Sequence, residues 1–208
     1  MSRRPKTQPR RAPRQKRAED TVVVLLQATE RVLARHGYEG STTNRIAEAA
    51  GVGIATLYRY FPSKEALIEA LVHDLWAEEL RVVARHVEAM TRGPFEPAMR
   101  AAISDLVGLV ARRRETYARW YSEASNLGRL ELAMSISAEA IGAIRRAFEV
   151  HRAFIRPSNL DFAADFVVKM VIAAVRAAPR DYVRELDDGE LARELGEMIV
   201  RYLRKDAP

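Results

Sequence analysis

Residues 42–67 read TTNRIAEAAGVGIATLYRYFPSKEAL. This stretch holds two short helical patterns, TNRIAEAA and IATLYRYF, which are joined by Gly51, Val52 and Gly53 and followed by Pro62. An isolated helix shorter than about a dozen residues does not recover the cost of its own nucleation. We therefore expect both segments to be held by packing against other helices, for a purpose that requires them to be short.

The second of these segments has two chemically different faces. Ile54, Leu57 and Phe61 are three and four residues apart, so they are expected to share a buried face. The opposite face is small or polar and consists of Ala55, Thr56, Tyr58, Arg59 and Tyr60. A small residue lets the backbone approach a partner closely, while hydroxyl and guanidinium groups bond phosphates or base edges. With Gly51 and Gly53 permitting a tight turn, the pattern indicates a helix-turn-helix that enters a DNA groove.

Two basic residues stand where a helix disfavours them. Arg45 and Lys64 each fall in the first turn of a predicted helix, and the helix dipole disfavours a cation there by up to about 1 kcal/mol. A DNA phosphate at each N-terminus would relieve this, because free backbone N–H groups also point outward there. The alternative is that each side chain extends into water.

The positive charge of the chain is concentrated at its N-terminus. Residues 1–17 contain eight of the 34 Lys and Arg residues and no acidic residue, which leaves 26 basic against 28 acidic residues in the remainder. With Pro5, Pro9 and Pro13 the segment cannot form a core, so we expect a disordered basic arm over residues 1–17. It either lies along phosphates or serves only as a solubility tail.

Several other classes of protein are disfavoured by composition. The chain has no cysteine and its four histidines are scattered, so neither a metal site nor a disulfide is expected. Its surface carboxylates show no catalytic spacing, and no phosphate-binding loop or nucleophile motif is present, so we expect neither an enzyme nor a cofactor. No segment approaches the roughly 18 uncharged residues of a membrane span, and a cytoplasmic protein without a membrane partner is expected.

The rest of the chain follows the helical period. A first helix runs from Asp20 or Thr21 to Gly37, and a long fourth helix is capped by Ser63 and ends before Gly93. Further helices are expected near 95–112, 115–127, 129–155, 159–178 and 188–205. The predicted fold is all-α with about nine helices, in which an N-terminal three-helix helix-turn-helix domain is joined by a long helix to a C-terminal helical domain.

The stretch ERVLARHGYEGSTTNRIAEAAGVGIATLYRYFPSKEALIEAL, residues 30–71, closely resembles the DNA-binding domain of tetracycline-repressor-like (TetR/AcrR) transcription regulators. The later residues match that family only in their number of helices. The resemblance implies a basic arm over 1–17, a DNA-binding domain over 18–77, and a ligand-binding and dimerisation domain over 78–208.

The resemblance also implies roles for single residues. Thr42 and Thr43 would lie against a phosphate, Tyr58, Tyr60 and Lys64 would hold the DNA backbone, and Asn44, Ala55 and Thr56 would lie nearest the bases. The full predicted DNA-binding set is Thr42, Thr43, Asn44, Arg45, Gly53, Ala55, Thr56, Tyr58, Arg59, Tyr60 and Lys64. Gly53 and Ile54 occupy turn positions that are often polar in the family. Ile54 is expected to be either core or a contact to a thymine methyl group.

The C-terminal domain is expected to enclose a small-molecule pocket and to form the dimer. The predicted ligand-binding residues are Trp76, Leu80, Met99, Ile103, Trp120, Tyr121, Met134 and Phe166. The predicted dimer interface consists of Phe162, Phe166, Met170, Ala174, Leu195, Met198, Ile199 and Tyr202. For every one of these residues, packing inside its own protomer is the alternative.

The function expected from these features is transcription regulation by a homodimer. The dimer binds a palindromic operator in double-stranded DNA and acts as a repressor that an apolar or cationic small molecule releases. The alternative is a ligand-independent or nucleoid-type DNA-binding dimer that relies on the basic arm and discriminates weakly between sequences.

Overall fold

The computed structural model describes residues 13–124 and 138–205 and shows an all-α protein. Ten helices lie within these ranges: α1 Pro13–Gly40, α2 Thr43–Ala50, α3 Ile54–Tyr60, α4 Lys64–Arg92, α5 Phe95–Arg112, α6 Arg114–Ala124, α7 Ala138–Val150, α8 Leu160–Asp181, α9 Val183–Asp187 and α10 Glu190–Leu203. The expected fold class is confirmed. The helix predicted at 188–205 corresponds to α10, and the short α9 before it was not predicted. The beginning of the helix predicted at 129–155 lies outside the described residues.

Helix α1 is longer at both ends than the sequence pattern indicates. It begins at Pro13, so residues 13–17 of the predicted arm are helical. Gly37 is the predicted end of the helix, and its φ of 68° and ψ of −176° interrupt the helical geometry there. A short helical segment then continues to Gly40. The remaining residues of the arm, 1–12, lie outside the described part.

Helices α2 and α3 begin and end where the sequence predicts. The Thr42 hydroxyl accepts a hydrogen bond from the backbone N–H of Arg45 at 3.3 Å, which caps the start of α2. Gly51 ends α2 in the left-handed conformation at φ 67°, and its N–H donates to the carbonyls of Ala47 and Glu48. A small core holds the two helices on α1 and is formed by Leu25, Ala28, Val32, Ile46, Ala47, Leu57, Phe61 and Leu67.

Helix α4 connects the two parts of the molecule. Its cap is Ser63, whose hydroxyl accepts from the backbone N–H of Ala66 at 3.2 Å. With 29 residues it is about 43 Å long. Leu67 belongs to the small core, whereas Ile68 and the buried residues that follow belong to the larger one. The proposed domain division at residues 77 and 78 therefore falls within a helix that both cores share.

The larger core lies among α4 to α10. Helix α8 continues through Pro179 to Asp181, slightly beyond the predicted end at 178. Among the described helices, none is long and apolar enough to span a membrane.

Candidate DNA-binding surface and ligand cavity

The predicted DNA-binding residues form one accessible surface at the ends of α2, α3 and α4. All eleven are exposed or half-buried. The hydroxyl oxygens of Thr43 and Tyr58 are 3.1 Å apart, so a hydrogen bond joins the start of α2 to the exposed side of α3. Arg59 lies over the ring of Tyr60, with 5.2 Å from the guanidinium carbon to the ring centroid. The surface thus offers hydroxyl and guanidinium groups on a rigid frame.

Of the two expectations for Ile54, a place in the core is wrong, and a contact with a thymine methyl group stays a prediction. Its side chain is 39% exposed, while Leu57 is fully buried and Phe61 nearly so. Ile54 is the first residue of a seven-residue helix, and its side chain has no further turn beneath which to pack. It therefore lies on the DNA-facing side of the turn. Gly53 has an ordinary φ of −68° and space for a Cβ, so the turn does not require glycine there.

Arg45 and Lys64 have partners within the protein. Arg45 donates from Nη1 to the carbonyl of Gly40 at 2.8 Å, and Lys64 donates from Nζ to the carbonyl of Tyr38 at 3.2 Å. Lys64 Nζ also lies 4.0 Å from the centroid of the Tyr38 ring. Both carbonyls belong to the C-terminal end of α1, the negative end of that helix. The alternative that each side chain only extends into water is wrong, because carbonyl groups of the protein accept from both. Contact with DNA phosphates stays a prediction for these two accessible side chains.

A cavity of about 290 Å³ lies inside the larger core, between α4, α5, α7 and α8. Most of its lining is aliphatic, and the predicted Trp76, Leu80, Met99 and Ile103 belong to it. An apolar cavity with a few polar groups is the usual form of a small-molecule site.

The polar end of the cavity contains a buried ion pair. Arg176 Nη2 lies 2.5 Å from Glu79 Oε2, and Tyr117 donates its hydroxyl to Glu79 Oε1 at 2.9 Å. The Arg176 and Glu79 side chains are 5% and 6% exposed. Desolvation lowers the pKa of the Arg176 guanidinium, but the attraction of Glu79 outweighs it and leaves the pKa raised. Burial, together with the Glu79 charge, raises the pKa of the Tyr117 phenol.

The comparisons with known proteins agree with this architecture. Residues 25–71 match the family described as bacterial regulatory proteins, tetR family, and residues 94–203 match tetracyclin repressor-like, C-terminal domain. The second match alone covers more than half of the chain. The chain belongs to the TetR family.

Relatives of this TetR-family protein include regulators and repressors. An uncharacterized HTH-type transcriptional regulator of Mycobacterium tuberculosis is 31% identical over 162 residues, which is 77% of each chain. The HTH-type transcriptional repressor AcnR of Corynebacterium glutamicum is 38% identical over 74 residues, 35% of this chain and 39% of AcnR. A TetR-family structure from Mesorhizobium loti superposes with a TM-score of 0.69 at 18% identity and covers 91% of this chain and 99% of its own.

Membership in the TetR family fixes the broad activity. The protein is a DNA-binding transcription regulator, and the family is one of regulators rather than of enzymes. Its DNA-binding part is the helix-turn-helix of α2 and α3.

Three predicted ligand residues of this TetR-family chain lie outside the cavity lining, and Met134 lies outside the described residues. Trp120 is buried in the larger core on α6, and Tyr121 stacks on Tyr117 with ring centroids 6.2 Å apart. Phe166 is 37% exposed, because α8 turns Val168, Val171 and Ile172 toward the cavity and Phe166 away from it. These positions correct the expected pocket.

The sequence missed Glu79 and Arg176, although a signal for each was present. Glu79 follows Leu75 by four residues and Arg176 follows Ile172 by four, so each charge stands at a core position of an apolar stripe. A charged residue at such a position is almost never buried without a partner.

The predicted dimer residues divide into an outer and an inner set. Phe162, Phe166, Met170 and Met198 are exposed, and they form with the half-buried Tyr202 what we call the α8–α10 face. Phe166 joins its two helices, since its ring centroid is 5.6 Å from that of Phe162 and 5.5 Å from that of Tyr202. Leu195 and Ile199 are instead 5% and 2% exposed within the larger core, and Ala174 is half-buried against it. An amphipathic helix must bury one side in its own domain, which corrects the expected placement of these two residues.

Proposed function

We propose that this protein is a repressor that binds a palindromic operator as a homodimer and releases it when a small, mostly apolar molecule fills the cavity. The observation that carries the proposal is the course of α4. Its first residue, Lys64, stands on the DNA-binding surface, and Trp76, Glu79 and Leu80 of the same helix line the cavity. A ligand that moves this helix therefore changes the position of the DNA-binding surface.

The α8–α10 face is the proposed dimer interface. It presents adjoining aromatic and methionine side chains, which are enriched in interfaces and depleted on ordinary surfaces. Two recognition helices read half-sites about 34 to 36 Å apart when the dimer is symmetric. A shift of a few ångströms between protomers would disrupt this spacing. We place the protein in the cytoplasm, where bacterial operators lie.

Repression is supported by AcnR, which is named a repressor and is 38% identical to this chain over 74 residues. The roles of single residues follow the geometry. Tyr58 and Lys64 contact phosphates, whereas Asn44, Ala55 and Thr56 on the exposed side face the bases. The basic residues of 1–17 add contacts to the DNA backbone and increase the salt dependence of binding.

The proposal is tested by capturing genomic DNA with the purified dimer, sequencing it, and measuring affinity for the recovered palindrome by fluorescence anisotropy. A scrambled duplex should bind at least about 1,000-fold more weakly. Thr56→Ala should change the preferred bases, whereas Tyr58→Phe should weaken binding to all duplexes alike. If scrambled and palindromic DNA bind within a few-fold of each other, the nucleoid-type alternative replaces the repressor.

The ligand response is tested separately on the same duplex. A small apolar molecule that raises the melting temperature of the free protein should also weaken operator binding. By linkage the operator must weaken ligand binding by the same factor, typically 5- to 150-fold. A ligand that binds the free protein and the operator complex equally would contradict the proposed release.

A further inference from the structure

The cavity contains two opposite charges that already satisfy each other. Besides its contact with Nη2, the Glu79 carboxylate accepts hydrogen bonds from Arg176 Nε at 3.2 Å to each oxygen. The Tyr117 hydroxyl is the third donor group, at 2.9 Å. Glu79 and Arg176 come from helices α4 and α8 and are 97 residues apart in the chain. Among the described residues that line the cavity, Glu79 and Arg176 therefore form a strongly polar pair whose formal charge is zero.

A charged ligand gains little at such a site. A carboxylate near Arg176 is also near Glu79, which repels it, and an ammonium group near Glu79 is also near Arg176. Either ion would still lose its hydration on entering the aliphatic cavity, because no net charge is available there to replace the water.

An uncharged head group meets a different situation. Three donor groups of the described residues make four contacts with Glu79, because Arg176 Nε is shared between the two oxygens at 3.2 Å. A neutral donor such as a hydroxyl can replace one half of this shared and longer bond. Desolvating such a head group costs far less than desolvating an ion.

The volume limits the size of the molecule. A dry cavity of about 150 Å³ holds benzene, which has about six non-hydrogen atoms. The cavity of about 290 Å³ is roughly twice as large. By the same proportion it holds about twelve such atoms. The aliphatic part of the lining comes from Leu80, Val83, Met99, Ile103, Val168 and Ile172.

We propose that the Glu79–Arg176 pair is a charge filter that determines ligand specificity. The pair admits an uncharged amphiphile with an aliphatic body of about ten carbons and one hydrogen-bonding head group, and it rejects carboxylates and amines of the same length. This inference rests on the proposed role of the cavity as an effector site, and it replaces a cationic effector by an uncharged one.

The test compares three probes that share a ten-carbon chain, namely 1-decanol, decanoate and decylammonium. Each is titrated into the 208-residue protein at pH 7.5 by isothermal calorimetry, the two ions below their micelle concentrations and 1-decanol below its solubility limit. The wild-type protein is expected to bind 1-decanol at least about tenfold more tightly than either ion, the discrimination that about 1.4 kcal/mol provides.

Variants then change the charge of the filter by one unit. Glu79→Gln leaves the guanidinium unneutralised and is expected to raise decanoate affinity at least about tenfold relative to 1-decanol. Arg176→Gln should do the same for decylammonium. Glu78→Gln is the matched control, because Glu78 is adjacent in sequence but pairs with Arg113 and is not part of the lining. The uncharged double variant Glu79→Gln/Arg176→Gln should keep the preference for 1-decanol, which attributes the changes in the single variants to net charge and not to the loss of packing. If one single variant does not fold, the other carries the test with its own ion.

The outcomes separate the filter from the effector site itself. Wild-type protein that binds decanoate or decylammonium as tightly as 1-decanol overturns the charge filter but leaves the effector site in place. The same holds if probe preference does not change in folded Glu79→Gln and Arg176→Gln proteins. Binding of none of the probes to folded wild-type protein overturns the effector site and the filter together, while specific operator binding would still stand.

Discussion

Replacing Arg176 by methionine should destabilise the protein more than most single substitutions. Methionine approximates the size of the arginine stem, but among the described residues it leaves the Glu79 carboxylate, which is 6% exposed, with the Tyr117 hydroxyl as its donor. Removing one partner of a buried ion pair costs about 3 to 5 kcal/mol, because an uncompensated charge stays in the interior. For a chain of 208 residues, each kcal/mol shifts the melting temperature by about 2 to 4 °C. We therefore expect a decrease of about 6 to 20 °C.

Urea unfolding gives the free energy and thermal unfolding gives the melting temperature, both followed by circular dichroism at one fixed protein concentration because dimerisation contributes to stability. Lys169→Met is the matched control on the same helix. Lys169 pairs with Asp165 at 2.7 Å, but its side chain is 58% exposed, so its loss should cost less than about 1 kcal/mol. The double variant Glu79→Leu/Arg176→Met should be far more stable than Arg176→Met, since a well-packed apolar pair replaces a buried ion pair at little or no cost.

A loss below about 1 kcal/mol in Arg176→Met, equal to that in Lys169→Met, would refute the reasoning. It would mean that water reaches Glu79 in solution and screens its charge. The cavity would then be hydrated at its polar end, and the basis for rejecting charged ligands would disappear as well.

Three further predictions concern the turn, alkaline pH and the dimer. Gly51→Ala should lower the free energy of unfolding by about 1 to 2 kcal/mol, because φ is 67° there, whereas Gly53→Ala, at φ −68°, should change it by less than about 0.5 kcal/mol in urea titrations. The pKa of Tyr117 is raised in the folded state. Its contribution to the free energy of unfolding is therefore fully present below about pH 10, the pKa in the unfolded chain, and decreases above it by about 1.4 kcal/mol per pH unit. Tyr117→Phe should lack this component when unfolding is measured between about pH 9 and 11. Met170→Glu should yield monomers in analytical ultracentrifugation, whereas glutamate at the exposed Ser104 of α5 should not.

The helix-turn-helix could be predicted because its determinants are local. Ser63 caps α4 and Gly51 ends α2, and both effects act within four residues of the chain. The partners of Arg45 and Lys64 could not be predicted in the same way. Lys64 contacts the carbonyl of Tyr38, 26 residues earlier, and that contact exists only once α1 has packed beside α4. A first-turn cation indicates a missing partner without indicating whether the protein or DNA supplies it.

The C-terminal domain was less predictable. Helical periodicity indicates which side of a helix is apolar, but it does not indicate whether another helix of the same protomer or a second protomer covers that side. On α10, Ile199 and Met198 are adjacent in sequence, yet Ile199 lies in the core and Met198 is 47% exposed. For Glu79 and Arg176 the sequence indicates the unusual positions but not the contact between them. Each is visible alone as a charge in an apolar stripe, but their pairing requires the approach of α4 and α8. Only the packed structure shows that these charges cancel.

The ion pair also explains how a second helix besides α4 connects the cavity to the DNA-binding part. Tyr117, which donates to Glu79, belongs to α6, and the preceding residue, Thr116, donates to Glu30 on α1 at 3.3 Å. Arg113 on the turn before α6 lies 3.5 Å from the same Glu30. A head group that competes for Glu79 therefore acts on α4 directly and on α1 through α6. Since Lys64 of α4 is bonded to the end of α1, the two helices cannot move apart without changing a contact on the DNA-binding surface itself.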